Sequence, residues 1–447
     1  MLRSYGEYRR YERTGIRVPI AVNAPQPGSA NGFSALTTDI SEGGLGLVRT
    51  PEMTIRPGST IDLEIEGLQG RRVQAKVVHV GAEHIGLRLP GREKLTTGDI
   101  EKIISEAPPW EKFKVKMRRS AWRTSRRAGV LAINTLLRPA VKAAVRPDFL
   151  FAVYGNAKDI STYYTPAMAK VMPDTLIGGY IRNQNHRGML VASHFLESEL
   201  SEDSEKVTAY LDRLKEDFPK VKNIALVGRL PNFAMKAGIP IEAPFVDGSM
   251  GTRYMIWDAA KQMVEMPEYQ QENTITVLGG AGRIGNLVCE DLLRVFPKVV
   301  AFDPRYETDE EVRFEKGTVL RTSNRAALGR SKLFIGLTHH GDVIRELGNF
   351  MEPGSLIADD THPCISLEVR QELADKGIRT LKIILSHEEF RMWPRMPAWN
   401  NRDIPGCLVE ALVLLDAESE AAKDFNRFMF TARKIGFRGR IIPPPED

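Results

Sequence analysis

The stretch that most constrains the fold is residues 274–303. Thr274-Ile-Thr-Val-Leu278 is a short β-branched and apolar run, the composition of a buried strand. Gly279-Gly280-Ala281-Gly282-Arg283-Ile284-Gly285 follows, a turn in which the backbone needs freedom and open space. Ile284, Leu287, Val288, Leu292 and Val295 then recur at helical spacing. A second apolar run, Val299-Val-Ala-Phe302, ends at Asp303. Strand, turn, helix and strand in that order form a βαβ crossover, so a parallel sheet with covered faces is expected.

In this setting Gly280-x-Gly282-x-x-Gly285 reads as the dinucleotide-binding fingerprint of a Rossmann fold. Gly280 permits the tight turn, Gly282 lets a pyrophosphate lie on backbone at the helix N-terminus, and Gly285 lets helix and strand pack closely. The cofactor-binding candidates are Gly280, Gly282, Arg283, Ile284, Gly285, Asp303 and Arg305. Asp303 stands where a carboxylate takes the ribose hydroxyls, which slightly prefers NAD. Arg305 could instead take a 2′-phosphate, so NADP stays open.

Strands and helices alternate through the rest of this half. Leu150–Tyr154, Met189–Ala192, Asn223–Val227, Leu333–Leu337, Ser355–Ala358 and Leu381–Leu385 read as strands, and helices are expected near 205–218 and 251–265. Polar clusters follow two of the strands: Thr338-His339-His340-Gly341 and Asp359-Asp360-Thr361-His362-Pro363. Strand ends are where such sheets gather ligands. His362, then His339, are the candidate proton donors or acceptors. His339 and His340 are adjacent and point apart, so no metal site is expected.

The first hundred residues follow another rule. Ile61, Leu63 and Ile65 alternate with Asp62, Glu64 and Glu66, and Val73, Ala75, Val77 and Ile85, Leu87, Leu89 repeat the period of two. With turns at Pro57-Gly58 and around Gly67–Gly70, this predicts a small antiparallel β-barrel, closed by a short helix from Thr97. Arg13 and Arg17 precede its first strand. Asp39, Ser41 and Gly44 form a polar turn, and Arg9 and Arg10 add charge upstream. A guanidinium offers a fork to phosphate or to the O6/N7 edge of guanine, and a carboxylate accepts from guanine N–H groups.

Arg13-x-x-x-Arg17 with Asp39-x-Ser41-x-x-Gly44 resembles the PilZ domain, a receptor for cyclic di-GMP. The resemblance implies a barrel that binds this dinucleotide through Arg9, Arg10, Arg13, Arg17, Asp39, Ser41 and Gly44. Residues 149–430 are similar to long-chain acyl-carrier-protein reductases and the predicted amino-acid dehydrogenases grouped with them. That likeness rests on Phe151–Asn156, Asp247–Trp257, the Gly280 fingerprint, Asp359–Pro363 and Ile404–Leu412. Where the acyl reductases carry a cysteine nucleophile, this chain has Trp257, whose indole offers only an N–H. Cys364 beside His362 is the one thiol expected near the cleft, which makes fatty-aldehyde formation doubtful.

The organisation read from these signals is a PilZ-like barrel over 1–107, a basic helical connector over 108–148, an N-terminal α/β lobe over 149–269 and a Rossmann lobe with a C-terminal helix over 270–447. Of the net charge of +5, residues 110–148 carry a local +9, leaving the remainder at −4. That connector is preferred as a solvated interdomain helix. No specific nucleic-acid partner is expected, and weak membrane-surface contact stays open. Three widely spaced cysteines suggest no disulfide framework and fit a cytoplasmic protein. Two functions remain: a cyclic di-GMP-regulated oxidoreductase acting on a small carbonyl, imine or acyl substrate, or a non-catalytic effector using the Rossmann unit for a nucleotide or a protein partner.

Overall fold

The computed structural model describes residues 14–23, 33–41, 43–50, 53, 55–65, 68, 71–81, 83–89, 95–155, 160, 161, 163–361, 363–394, 400, 402–416 and 424–443. The chain divides into two compact units, residues 1–128 and 129–447.

In the first unit, β1 (Pro19–Asn23), β2 (Phe33–Ser41), β3 (Gly44–Val48), β4 (Thr60–Ile65), β5 (Arg72–Val80) and β6 (His84–Arg88) close an antiparallel barrel. Their order is β1-β2-β3-β6-β5-β4. The period of two seen in the sequence is the inside–outside alternation of the wall: Ile61, Leu63, Ile65, Val73, Ala75, Val77, Ile85 and Leu87 all face the core. Helix α1 (Thr97–Glu106) starts at a capping box, in which Thr96 accepts from the Asp99 N–H and Asp99 accepts from the Thr96 N–H. Ile100 and Ile103 cover one end of the barrel core. Pro108 and Pro109 end α1, and Pro109 is also the first residue of α2 (Pro109–Asn134), where its missing N–H costs nothing. Val115 of α2 joins the barrel core. From Gly129 on, α2 belongs to the second unit, within which Asn134 bonds both the N–H and the carbonyl of Ile177. No single helix among the described residues is long and apolar enough to cross a membrane.

Helix α3 (Arg138–Val145) follows in the second unit. Its first sheet contains β7 (Phe149–Gly155), β8 (Thr175–Asn183), β9 (His186–Leu196), β10 (Asn223–Leu226) and β11 (Phe245–Val246), in the order β11-β10-β7-β9-β8, with Arg391–Trp393 on the far side of β8. Strand β8 is antiparallel to β9. Helix α4 (Ser204–Asp217) covers one face through Val207, Tyr210, Leu211 and Leu214.

The second sheet contains β12 (Thr274–Leu278), β13 (Lys298–Phe302), β14 (Glu310–Phe314), β15 (Gly317–Thr322), β16 (Leu333–Gly336), β17 (Leu356–Asp359) and β18 (Arg379–Ser386). Its parallel core runs β15-β13-β12-β16-β17-β18. That is the doubly wound Rossmann order, whose switch point falls between β12 and β16. Antiparallel β14 forms one edge, and Asp403–Ile404 and Arg438–Ile442 pair with β18 at the other. Helices α5 (Ser249–Glu265), α6 (Arg283–Leu292) and α7 (Gly406–Asp416) pack around both sheets. The first helix after β12 turns Val288 and Leu292 inward as its stripe predicts. Leu287 instead lines a surface cavity.

Candidate functional site

The first site is at the barrel's edge. Residues 14–18 run beside β2. Thr14 and Ile40 exchange backbone hydrogen bonds of 2.8 and 2.9 Å. Buried Thr37 accepts from the Val18 N–H at 2.9 Å and donates to the Ile16 carbonyl at 2.5 Å. Ile16 and Val18 point into the core, so the alternation turns Arg17 outward, where it is exposed. Asp39 follows a bulge at Thr37–Asp39 and is half-buried. The segment carrying Arg17 and the hairpin carrying Asp39, Ser41 and Gly44 are therefore neighbours. Arg9, Arg10 and Arg13 lie outside the described residues.

The two remaining motif residues serve the hairpin itself. The buried Ser41 hydroxyl donates to the Gly44 carbonyl at 2.9 Å. A Cβ on Gly44 would meet the Leu87 carbonyl oxygen of β6 at 2.3 Å, so glycine is required for strand packing at that position. The resemblance counts the same glycine among the ligand-binding residues.

Two cations that the motif did not single out join the segment. Arg119 donates to Thr14 Oγ1 at 3.4 Å and pairs with Glu101 at 2.7 Å. Arg118 Nη1 lies 2.5 Å from where a Cβ of Gly15 would be. Glu111 accepts the Arg17 N–H at 3.3 Å. The Lys114 ammonium, bonded to Glu111, together with that N–H holds the Glu111 carboxyl below its ordinary range despite desolvation. The sequence showed these charges as a run; only the placement of α2 against residues 14–17 gives them a position.

Thr37 fixes the geometry of this segment. Replacement by valine would leave the Ile16 carbonyl and Val18 N–H without their partner. Thr37→Val should destabilise the barrel by about 2 kcal/mol, an ordinary cost for buried polar groups left unpaired, read as a lowered urea midpoint.

The second site is the turn after β12. A Cβ on Gly280 would lie 2.9 Å from Ala301 Cα, and one on Gly285 would lie 2.2 Å from the Gly279 carbonyl oxygen. Both glycines are needed for packing. Gly282 has φ −69°, and its Cβ would meet the Gly279 oxygen at 3.1 Å, so it mainly keeps the approach to the α6 N-terminus open. A cavity of about 620 Å³ lies there, lined by Ala281, Gly282, Arg283, Asn286, Tyr306 and Arg321 among others. Glycine cradle, helix N-terminus and cavity fit the pyrophosphate and adenosine of a dinucleotide. Ile284 is half-buried on α6, packed against the core.

Asp303 is buried and fully engaged. Its Oδ1 accepts from Arg305 N and Nε at 3.0 and 2.9 Å. Its Oδ2 accepts from Ala281 N at 3.1 Å and Arg305 Nη2 at 2.9 Å. Burial opposes its charge, but the Arg305 bonds outweigh that and hold the carboxyl below its ordinary value. Arg283 is paired with Asp247, which precedes α5.

Of the histidines proposed for acid–base work, His339 is exposed in the loop after β16, and His362 lies outside the described residues. His340 Nδ1 accepts the Asp342 N–H at 3.1 Å and caps the turn. Trp257 sits within α5 with the Arg433 guanidinium over its ring at 4.8 Å. Cys364 is half-buried. No metal-ligating cluster of His, Cys, Asp or Glu occurs among the described residues.

A second polar cluster, which the sequence did not reveal, lies where the lobes meet. Lys382 Nζ is 3.7 Å from Asp360 Oδ1, both largely buried. Burial pushes the Asp360 carboxyl up to about 6, against the pull of Lys382. Burial, then the Asp360 charge, pushes the Cys407 thiol up to about 12, so that thiol is no ready nucleophile. Glu410 accepts the Met250 N–H at 2.7 Å and the Gly251 N–H at 3.4 Å at the α5 N-terminus. Burial, then Asp247, raises its carboxyl to about 7. A carboxyl raised on folding is protonated in the native chain while ionised in the unfolded one, so stability falls as pH rises from about 4.5 to about 7. Glu410→Gln keeps an acceptor for the two N–H groups and should remove about 3 kcal/mol of that decline. Urea unfolding at pH 5 and pH 8 in both proteins measures it.

The first unit has the architecture of a small closed antiparallel β-barrel and the second that of a two-lobed Rossmann unit. Residues 7–104 match the family model for the PilZ domain, and the N-terminal barrel is a PilZ domain. Among solved structures, the chain is similar to the inhibitor of motility of Bacillus subtilis (21% identity, 21% of this chain and 47% of that one, TM-score 0.17). It spans about half of that protein's length. It is similar to the PilZ domain, with c-di-GMP, of YcgR from Escherichia coli (13% identity, 27% and 98% coverage, TM-score 0.19). It is also similar to L-tryptophan dehydrogenase from Nostoc punctiforme (15% identity, 64% and 80% coverage, TM-score 0.31). No curated protein matches the chain.

Proposed function

We propose that the chain is a cyclic di-GMP effector whose second unit binds NAD(P). The observation that carries the first part is the Thr14–Ile40 bridge, which sets the arginine segment beside the Asp39 hairpin. Arg13 and Arg17 would grip phosphate and guanine, with Arg9 and Arg10 upstream, and Asp39 would accept guanine N–H groups. The glycine cradle and cavity at α6 support the second part.

The PilZ barrel, the basic connector, the first α/β lobe and the Rossmann lobe serve as sensor, link and output. Ligand at the arm would compete for the contacts that Glu111 and Arg119 make with Arg17 and Thr14. Since both lie on the helix that leads out of the barrel, ligand binding biases the arrangement of that helix, provided the two arrangements differ in affinity.

The output is read as hydride transfer to or from a small carbonyl or imine, with His339 and His362 as candidate acid–base groups beside the strand ends. Acyl transfer through a thioester is disfavoured, because Trp257 stands where the acyl reductases carry their nucleophile and burial raises the Cys407 thiol. In a cytoplasmic effector of this kind, NAD(P)H fluorescence titrations with and without cyclic di-GMP test the reading. Both ligands should bind, and each should change the other's Kd by the same factor. Failure of either to bind, or complete independence, contradicts it.

A further inference from the structure

From the geometry around Asp303 we infer that the adenosine end of the Rossmann site is a phosphate site, selecting a 2′-phosphorylated dinucleotide, NADP(H), over NAD(H). The inference rests on the dinucleotide reading of the second unit and adds the ligand class.

A ribose diol is recognised by a carboxylate with acceptor sites to offer. A carboxylate has about four such sites. Asp303 spends them on Arg305 N, Arg305 Nε, Arg305 Nη2 and Ala281 N. Two of these donors are backbone N–H groups fixed by the turn and cannot swing away. The other two form a bidentate guanidinium fork, the strongest geometry available to the pair. The acid that a sequence reader assigns to the ribose thus acts as the anchor that orients Arg305.

What it presents instead is positive. The Arg305 side chain is 65% exposed although its partner is 5% exposed. A guanidinium has five N–H donors. The side-chain bonds to Asp303 use one on Nε and one on Nη2, so three remain to face a ligand. Arg305 Nη2 lies 3.8 Å from where a Cβ of Gly282 would be, at the mouth of the cradle. Arg321 and the Tyr306 side chain line the same cavity. Among the described residues the charge of Arg321 is paired with Glu310 at 3.1 Å, whose carboxylate is 60% exposed. Such surface pairs are worth about 1 kcal/mol or less, so a dianionic phosphate entering the cavity displaces Glu310 at small cost. Asp303 remains an anion, but with its charge matched by Arg305 and its oxygens turned inward it does not confront the phosphate. The other cation lining the cavity, Arg283, is paired with Asp247 and lies at the α6 N-terminus, suited to the pyrophosphate.

The test is binding of NADPH and NADH to the full chain at about 0.15 M salt, near the physiological ionic strength, read by nicotinamide fluorescence, with 2′,5′-ADP and 5′-AMP as competitors. NADPH should bind at least tenfold tighter than NADH, and 2′,5′-ADP should compete better than 5′-AMP by a similar factor. Arg321→Ala and Arg305→Ala should each weaken NADPH at least tenfold, and weaken NADH by a clearly smaller factor. NADH binding as tightly as NADPH, or both variants losing the two cofactors equally, would overturn the phosphate site while leaving a dinucleotide site in place. Binding of neither cofactor would overturn the dinucleotide reading and this inference with it.

Discussion

Arg17→Ala should lose cyclic di-GMP binding by more than a hundredfold while the barrel unfolds at the same urea concentration as the parent. A guanidinium that forks to phosphate or to guanine makes charge-assisted hydrogen bonds worth about 1.5–3 kcal/mol each, so removing the fork costs roughly two decades or more in Kd. The barrel is indifferent because the Arg17 side chain is exposed, and the hydrogen bond it makes among the described residues comes from its backbone N–H, to Glu111. Its neighbours Ile16 and Val18, 1% and 2% exposed, supply the core contacts and keep the segment in place. Calorimetry showing parental affinity would refute the assignment of Arg17 to the ligand. A lowered unfolding midpoint would mean that Arg17 is structural.

The second large effect is expected at Gly282→Val, which should lower NAD(P)H affinity at least a hundredfold in a chain that folds normally. The backbone there, at φ −69° and ψ 160°, is open to any L-residue. Its Cβ is tight only against one oxygen, at 3.1 Å. The valine methyls would then occupy the space in front of the α6 N–H groups, where a pyrophosphate lies. Gly285→Val is the contrasting variant. A Cβ 2.2 Å from the Gly279 carbonyl forces backbone apart, so it should fold poorly or not at all. Undiminished cofactor binding in Gly282→Val would mean that all three glycines serve packing alone.

The barrel and the Rossmann sheet were legible because each is written in a local period. Ile61-x-Leu63-x-Ile65 shows the wall of the barrel, and Thr274–Leu278 with its glycine turn shows the parallel sheet. Several strands of the second unit were not foreseen, β8, β14 and β15 among them. In β8, Gly178-Gly179 interrupts the apolar pattern, and β14 is an edge strand of Glu310-Glu-Val-Arg-Phe314 that buries little. At the sites, residue types were legible and their commitments were not. Nothing in the sequence says that Arg305 saturates the Asp303 carboxylate, or that Gly44 is set by the Leu87 carbonyl. Lys382 on β18, Asp360 after β17, and Cys407 and Glu410 on α7 come from three distant stretches, so no spacing rule could join them. Arg118 and Arg119 were visible only as charge, because their role depends on which turn of α2 meets residues 14–17.

The account stands on two separate segments of the barrel closing together on one guanine-bearing ligand. Hydrogen–deuterium exchange of the full chain with and without cyclic di-GMP measures this directly. Residues 14–18 and 39–44 should slow together on addition of saturating ligand, with little change across β4 and β5 on the other side of the barrel. Slowing in only one of the two segments, or in neither, would contradict it.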